Sequence, residues 1–261
     1  MKTTTIIEKE EGVAVITLNR PERFNAMSTQ LLSDVEEAVK ALDKDDDTKV
    51  IVITGAGEAF CAGGDLEGHP AFSTDNAIDR EQFVVDAQRI TLALRRMPKP
   101  VIAAVNGVAA GAGMDLSLAC DLRIASEKAR FVEIFVRSGL MTDMGGSYLL
   151  PRLVGVGKAL EILLAGDIID ADEAHRIGLV NQVVPHSELM TKTMAMARRF
   201  AKGPSQAYKL IKWSVYRGLE LSIESALENE VYGQNLLLGS EDVHEAVNAF
   251  NEKRKPIFKG R

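Results

Sequence analysis

Three stretches of this chain carry residue types that could do chemistry. Asn106-Gly-Val-Ala-Ala-Gly-Ala-Gly-Met-Asp-Leu116 passes from a turn pair through small residues into an apolar helix opening. Small side chains let a ligand atom approach the backbone, and the first N–H groups of a helix have no internal partner. That combination outlines a site that receives negative charge on a backbone amide. A second stretch, Gly55 to Leu66, sets four glycines among twelve residues and demands a special backbone path. The third, Leu140-Met-Thr-Asp-Met-Gly-Gly146, places Asp143 ahead of a glycine pair and a short helix. Asp143 reads either as an N-terminal cap or, if buried beside an apolar ligand, as a carboxylate with a raised pKa and better basicity. Asp115, inside an apolar helix, must find partners; it is either a second catalytic group or a structural acceptor.

The elements that position these residues follow from pattern. Thr4 to Ile7 and Val13 to Asn19 read as strands around a polar turn, Glu8 to Gly12. Ser28 caps a helix over Thr29 to Asp43 whose Leu31, Leu32, Val35, Val39 and Leu42 form one face. Strands follow at Val50 to Thr54, Val101 to Val105 and Leu122 to Ala125, with a short apolar one at Ala129 to Phe135. Helices read at Glu81 to Met97, Val156 to Leu164 and Asp170 to Ile177, then a strand at Val180 to Val184. His69 to Asp79 lacks periodicity and reads as a loop. From Ser187 onward the pattern is nearly all helical, with turns at Gly203-Pro204 and Gly239-Ser240. The result is a layered α/β core followed by helices.

Several chemistries are excluded or disfavoured. The 261 residues, 46% hydrophobic and 26% charged, are enough for a large core. A formal charge of -6 gives no bulk attraction to nucleic acid or anionic lipid, so neither is expected as a partner. Two cysteines, Cys61 and Cys120, make no disulfide scaffold, and four scattered histidines lack metal-ligand spacing, so no metal is expected. Gly111-Ala-Gly-Met-Asp-Leu116 lacks the third glycine of a dinucleotide fingerprint, and Gly157-Lys158-Ala159 lacks the frame of a phosphate loop. The first residues lack an apolar signal core and no run is long enough to span a membrane, which makes the cytoplasm the default location.

The ordered set Asn19-Arg-Pro-Glu-Arg-Phe-Asn-Ala26, Phe60-Cys-Ala-Gly-Gly-Asp-Leu66, Lys99-Pro-Val-Ile-Ala-Ala-Val-Asn-Gly107, Gly145-Gly-Ser-Tyr-Leu-Leu-Pro-Arg152 and Ala174-His-Arg-Ile-Gly-Leu-Val180 resembles the enoyl-CoA hydratase/isomerase, or crotonase, superfamily. Each motif is weak alone, but together and in order they are specific. The resemblance implies an α/β crotonase (ClpP/crotonase-like) spiral of ββα units with a C-terminal helical region. The expected division is a spiral core over 1–195 and a trimerising, site-covering helical region over 196–261. It also implies an acyl-CoA thioester substrate, with CoA as part of the substrate and no separate cofactor, and a homotrimer or dimer of trimers.

Residue by residue, the resemblance puts the two amides that hold the thioester oxygen at Gly64 and Ala112. The two glutamates of the family's hydratases match Asp115, one methylene shorter, and Phe135, which cannot exchange a proton and falls to the acyl pocket. Asp143 matches a carboxylate of family isomerases and some dehalogenases, and its segment resembles the ring-degradation isomerases. CoA contacts are expected at Arg23, Phe24, Ala26, Ala62, Asp65, Leu66 and Lys253, although Asp65 by itself reads as a turn former. The favoured activity is acyl-CoA double-bond isomerisation, with Asp143 and Asp115 as catalytic residues. The alternatives are enoyl-CoA hydration, which would need two proton-handling groups, and a non-catalytic assembly role.

Overall fold

A computed structural model describes residues 3–65 and 75–261. Leu66 and the His69 to Thr74 part of the expected loop lie outside the described residues. Of the rest of that loop, Ala77 to Asp79 are helix: the Asn76 side chain accepts from the Ile78 N–H at 3.0 Å and opens the helix four residues ahead of the predicted start.

The first hairpin joins β1 (Thr5–Glu10) to β2 (Val13–Leu18) in antiparallel register, Glu10 opposite Val13. The expected five-residue turn thus shrinks to Glu11-Gly12, whose positive φ values of 49° and 79° match the twist of a two-residue loop. Ser28 Oγ accepts from the Leu31 N–H at 3.2 Å and starts α1 (Thr29–Asp43), as its sequence indicates.

Three successive units then repeat one path. β3 (Val50–Gly55), β5 (Val101–Val105) and β7 (Leu122–Ser126) lie side by side in a six-stranded sheet ordered β1-β2-β3-β5-β7-β10, with β10 at Gln182–Val184. Each is followed by a short strand in a second sheet: β4 (Ala59–Cys61), β6 (Val108–Ala110) and β8 (Arg130–Val132), closed by β9 (Ile169–Asp170). Each pair then feeds a helix: α2 (Ala77–Arg96), α3 (Ala112–Ala119) and α4 (Gly146–Val154). Pairs β2–β3, β3–β5, β5–β7, β4–β6 and β6–β8 are parallel, which requires such crossovers. This is the ββα spiral.

Both faces of the large sheet are covered, which explains its continuous apolar runs. Ile16, Ile51, Ile53 and Ala103 face the inner core with α1 to α4. Their neighbours Val15, Val50, Val52, Ile102 and Ile124 face α7 (Leu189–Ala201). Between them run α5 (Val156–Ala165) and α6 (Ala171–Arg176); after α7 come α8 (Ser205–Gly218), α9 (Ile223–Leu238) and α10 (Glu241–Asn251).

The position 195/196 lies within α7, which packs on β2, β3, β5 and β7, and α8 follows it. The strand expected over Ala129 to Phe135 ends at Val132, because Ile134–Ser138 winds into a 3₁₀ turn that turns the chain toward α4. Short strands β4 and β6 have too few residues to show a period.

Candidate active site

The end of β4 and the start of α3 meet backbone to backbone. A Cβ added to Gly63 would stand 2.8 Å from the Ala110 carbonyl oxygen and 3.8 Å from the Ala112 nitrogen, and one on Gly113 would overlap the Cys61 carbonyl. Only glycine permits this approach, and Gly63 also holds a φ of +97°. Gly64 forms a parallel bridge with Met27 in which the Met27 N–H donates to Gly63 O and the Asp65 N–H donates to Met27 O. That pairing leaves the Gly64 N–H on the other side of the bridge. Ala112 is the first residue of α3, so its N–H has no helical acceptor. Neither N–H donates to a backbone carbonyl among the described residues. Phe135 completes the corner: its ring lies 3.5 Å from where a Gly111 Cβ would be.

One turn further along α3, Asp115 is fully buried. Its Oδ2 accepts from Thr142 Oγ1 at 2.6 Å and from the Met144 N–H at 3.1 Å. Thr142 Oγ1 in turn accepts from the Gly146 N–H at 2.9 Å. Asp115 thereby fixes the turn between the 3₁₀ segment and α4, with Asp143 at its tip. The capping reading of Asp143 is not realised: Gly145, at φ +108°, occupies the N-cap without a side-chain bond, and Thr142 serves the Gly146 N–H instead. The Asp143 main-chain oxygen accepts from Gln88 Nε2 at 2.9 Å, while its side-chain Oδ1 is buried with no partner. A carboxylate held by its backbone and unused by its side chain is available for a ligand.

Burial pushes the Asp143 carboxyl up to about 6, opposed only by a hydrogen bond with its own backbone. Asp115 is also raised, first by burial and then by Asp143, against the hydrogen bonds of Thr142 and Met144. A third acid lies with them. Glu133, between β8 and the 3₁₀ turn, is 1% exposed and is pushed furthest up, first by burial and then by Asp115 and Asp143. Among the described residues no group of His, Cys, Asp or Glu is placed to hold a metal ion.

The family model for enoyl-CoA hydratase/isomerase matches residues 8–261. The chain belongs to this family. It is 39% identical over 253 residues to a short-chain-enoyl-CoA hydratase of Clostridium acetobutylicum, covering 96% of this chain and 95% of that one. It is 38% identical to a 1,2-epoxyphenylacetyl-CoA isomerase of Escherichia coli, covering 97% of each chain. The fold superposes on the crystal structure of an enoyl-CoA hydratase from Bacillus anthracis with a TM-score of 0.94, at 34% identity, over 99% of this chain and all of that one. This hydratase/isomerase chain is therefore a crotonase-fold enzyme of the acyl-CoA isomerase or enoyl-CoA hydratase class.

Within this family member, the loop before α1 brings most of the remaining expected residues together. Pro21–Arg23 forms one 3₁₀ turn, Phe24 is 56% exposed at a positive φ, and the Ala62 N–H donates to Phe24 O at 3.0 Å. Arg20 Nη2 meets Asp65 Oδ2 at 2.7 Å and Arg20 Nη1 donates to Ala26 O, so the Asp65 carboxylate ties β4's exit to the loop. Asn25, unremarked in the sequence, is the buried centre: its Oδ1 accepts from the Arg20 N–H, and its Nδ2 donates to Ala56 O and Ala59 O. Lys253 stands apart, just past α10, a helix that packs on α9. Sequence reasoning also missed Glu133 and Thr142: Thr142 stands in the Leu140 to Gly146 stretch but its role depends on Asp115, and the Glu133–Ile134 step looks like a strand until the 3₁₀ turn is seen.

Among the described residues no helix is long and apolar enough to cross a membrane.

Proposed function

We propose that the protein is an acyl-CoA double-bond isomerase. The Gly64 and Ala112 N–H groups hold the thioester oxygen, and Asp143 removes a proton from one carbon of the acyl chain and returns it two carbons away. Amide donors preset at a developing enolate lower the barrier to proton removal, and one carboxylate placed beside both carbons suffices for the transfer. The observation that carries this reading is Asp143 itself: half-buried, raised to about 6, and with its Oδ1 unpartnered among the described residues. Phe135, lying at Gly111 where a family hydratase has an acid, supports it by occupying the corner with an aromatic ring. Arg23, Phe24, Ala26, Ala62, Asp65 and Leu66 form the CoA-facing side of this reading. Lys253 reaches a neighbouring subunit's CoA.

The names of the two relatives above divide between hydration and isomerisation, so 2-enoyl-CoA hydration by Asp115 with a second acid is the competing reading. Incubation with 3-enoyl-CoA and with 2-enoyl-CoA in heavy water separates them. Isomerisation with deuterium uptake that survives Asp115→Asn supports the proposal; rapid hydration that requires Asp115 overturns it.

Exposed Ile211 and Val215 on α8, Leu219 just past it, and Val231 and Leu236 on α9 support association through the helical region, as a trimer or a pair of trimers. Light scattering of the purified chain gives the mass that tests this.

A further inference from the structure

Besides Asp143 Oδ1, three carboxyl oxygens of this corner have no hydrogen-bond donor among the described residues: Asp115 Oδ1, Glu133 Oε1 and Glu133 Oε2. Asp115 is fully buried and Glu133 is 1% exposed, so water does not supply what the protein withholds. Yet the β6–β8 register sets Val132 beside Ala110, and the Asp115 N–H donates to Gly111 O one helical turn on, so Glu133 and Asp115 flank the same junction and their carboxyl groups act on each other. Two ionised carboxylates are acceptors only and repel at that range. A cation would resolve the conflict, but no group of His, Cys, Asp or Glu among the described residues is placed to hold a metal ion.

A proton resolves it. We infer that Glu133 is a positioning residue, protonated at neutral pH, whose O–H donates to Asp115, so that the pair carries one charge and holds the Asp143 turn in its working geometry. The hydrogen bonds decide which member keeps the proton. Asp115 Oδ2 accepts from Thr142 Oγ1 and from the Met144 N–H, and both bonds favour the carboxylate. Glu133 has no such donor and keeps the proton, consistent with the direction in which burial moves it.

The charged groups acting on Glu133 are Asp115 from α3 and Asp143 from the turn ahead of α4. On the neighbouring 3₁₀ turn, α5 and α6, charges are engaged in outer pairs: Arg137 with Asp167, Lys158 with Glu161, and Arg176 with Glu173. Ionising Glu133 therefore adds a third negative charge to a cluster that no cation faces among the described residues. It removes the donor to Asp115, opposes a developing enolate, and loosens the Thr142–Met144 clasp. Activity falls on the alkaline side for this reason.

The kinetic half of this inference rests on Asp143 being the base; the protonation half does not. The test uses the full-length enzyme in two measurements. In E133Q the amide N–H replaces the acid O–H and cannot ionise. Isomerase kcat/KM at pH 7 stays within about threefold of wild type while the alkaline limb, falling about tenfold per pH unit in wild type, disappears. Glu133→Ala, which supplies no donor, lowers kcat at pH 7 by at least about tenfold, and E133Q restores it. An E133Q profile that keeps the wild-type alkaline limb overturns the inference. Separately, infrared spectra at pH 7 show a protonated carboxyl band in wild type that is lost in E133Q. Absence of that band in wild type overturns the inference whether or not any variant folds. Failure of Asp143 as base appears instead as retained isomerisation in Asp143→Asn, with the carboxyl band unaffected.

Discussion

Replacing Asp143 by Asn removes a base while leaving its frame intact. The side chain caps no helix, and the turn is held by the Asp143 main-chain oxygen on Gln88 and by Asp115 on Thr142 and Met144. Asn has nearly the same shape but cannot take a proton, so kcat should fall by about 10² to 10⁴-fold, the usual worth of a positioned general base, with KM little changed. The raised pKa makes the expectation sharper. At about 6 the carboxyl is still roughly nine-tenths ionised at pH 7 but is about two units more basic than an ordinary Asp. Wild-type kcat/KM should therefore fall about tenfold per unit below pH 6, where the carboxylate is lost. Stability moves the other way. The folded protein binds this proton more tightly than the unfolded chain, so the ionised side chain costs stability increasingly as pH rises from about 4 to about 6, and the cost persists above that. Two units correspond to roughly 3 kcal/mol as an upper bound, so Asp143→Asn should be as stable as wild type near pH 3 and more stable at pH 7. The assays are isomerisation of a 3-enoyl-CoA in heavy water across pH 5 to 9 and urea unfolding at the two ends. A variant that still isomerises within a few-fold of wild type, or a wild-type rate flat through pH 6, refutes Asp143 as the base.

Gly146→Ala would set a Cβ 2.5 Å from Thr142 Oγ1 and into the Asp115 carboxylate, so it should cost about 1–3 kcal/mol by overpacking and lower kcat more than KM, read by thermal unfolding and steady-state kinetics. Arg23→Ala should raise KM for acyl-CoA with kcat unchanged, and the difference should vanish with a thioester truncated at the pantetheine end. Lys212, 9% exposed at its side chain, meets Asp121 at 2.7 Å and donates to Leu94 O and Lys99 O, fastening α8 to the core. Lys212→Met leaves the half-buried Asp121 with only the Tyr216 hydroxyl and the Val101 N–H as donors and should cost about 1–3 kcal/mol in denaturant unfolding; an unchanged midpoint would show that α8 is held by packing alone.

Legibility in the sequence followed the length of the physical signal. Where a period had room to repeat, as in α1 behind Ser28 or β5 between Pro100 and Asn106, residue pattern and structure agree to within a residue or two. Three-residue strands β4, β6 and β8 have no room, and they belong to the second sheet, so the spiral came from the family resemblance rather than from periodicity. The glycine junctions were legible because close backbone approach has a compositional mark; Gly63 and Gly113 are positions where a Cβ would strike backbone. Asp115 was legible as a carboxylate out of place in an apolar helix. Glu133 was not, because its meaning depends on a partner eighteen residues away and on a 3₁₀ turn that turns the chain out of β8. Thr142 and Asn25 were invisible for the same reason: Thr142 donates to the Asp115 carboxylate and Asn25 to the Ala56 and Ala59 carbonyls, all distant in sequence, and a hydrogen-bonding side chain shows nothing of its acceptor before the chain is folded. The glycines and apolar runs thus mark where a site is built, while the carboxyl chemistry inside it depends on contacts that only the packed α3–α4 corner creates.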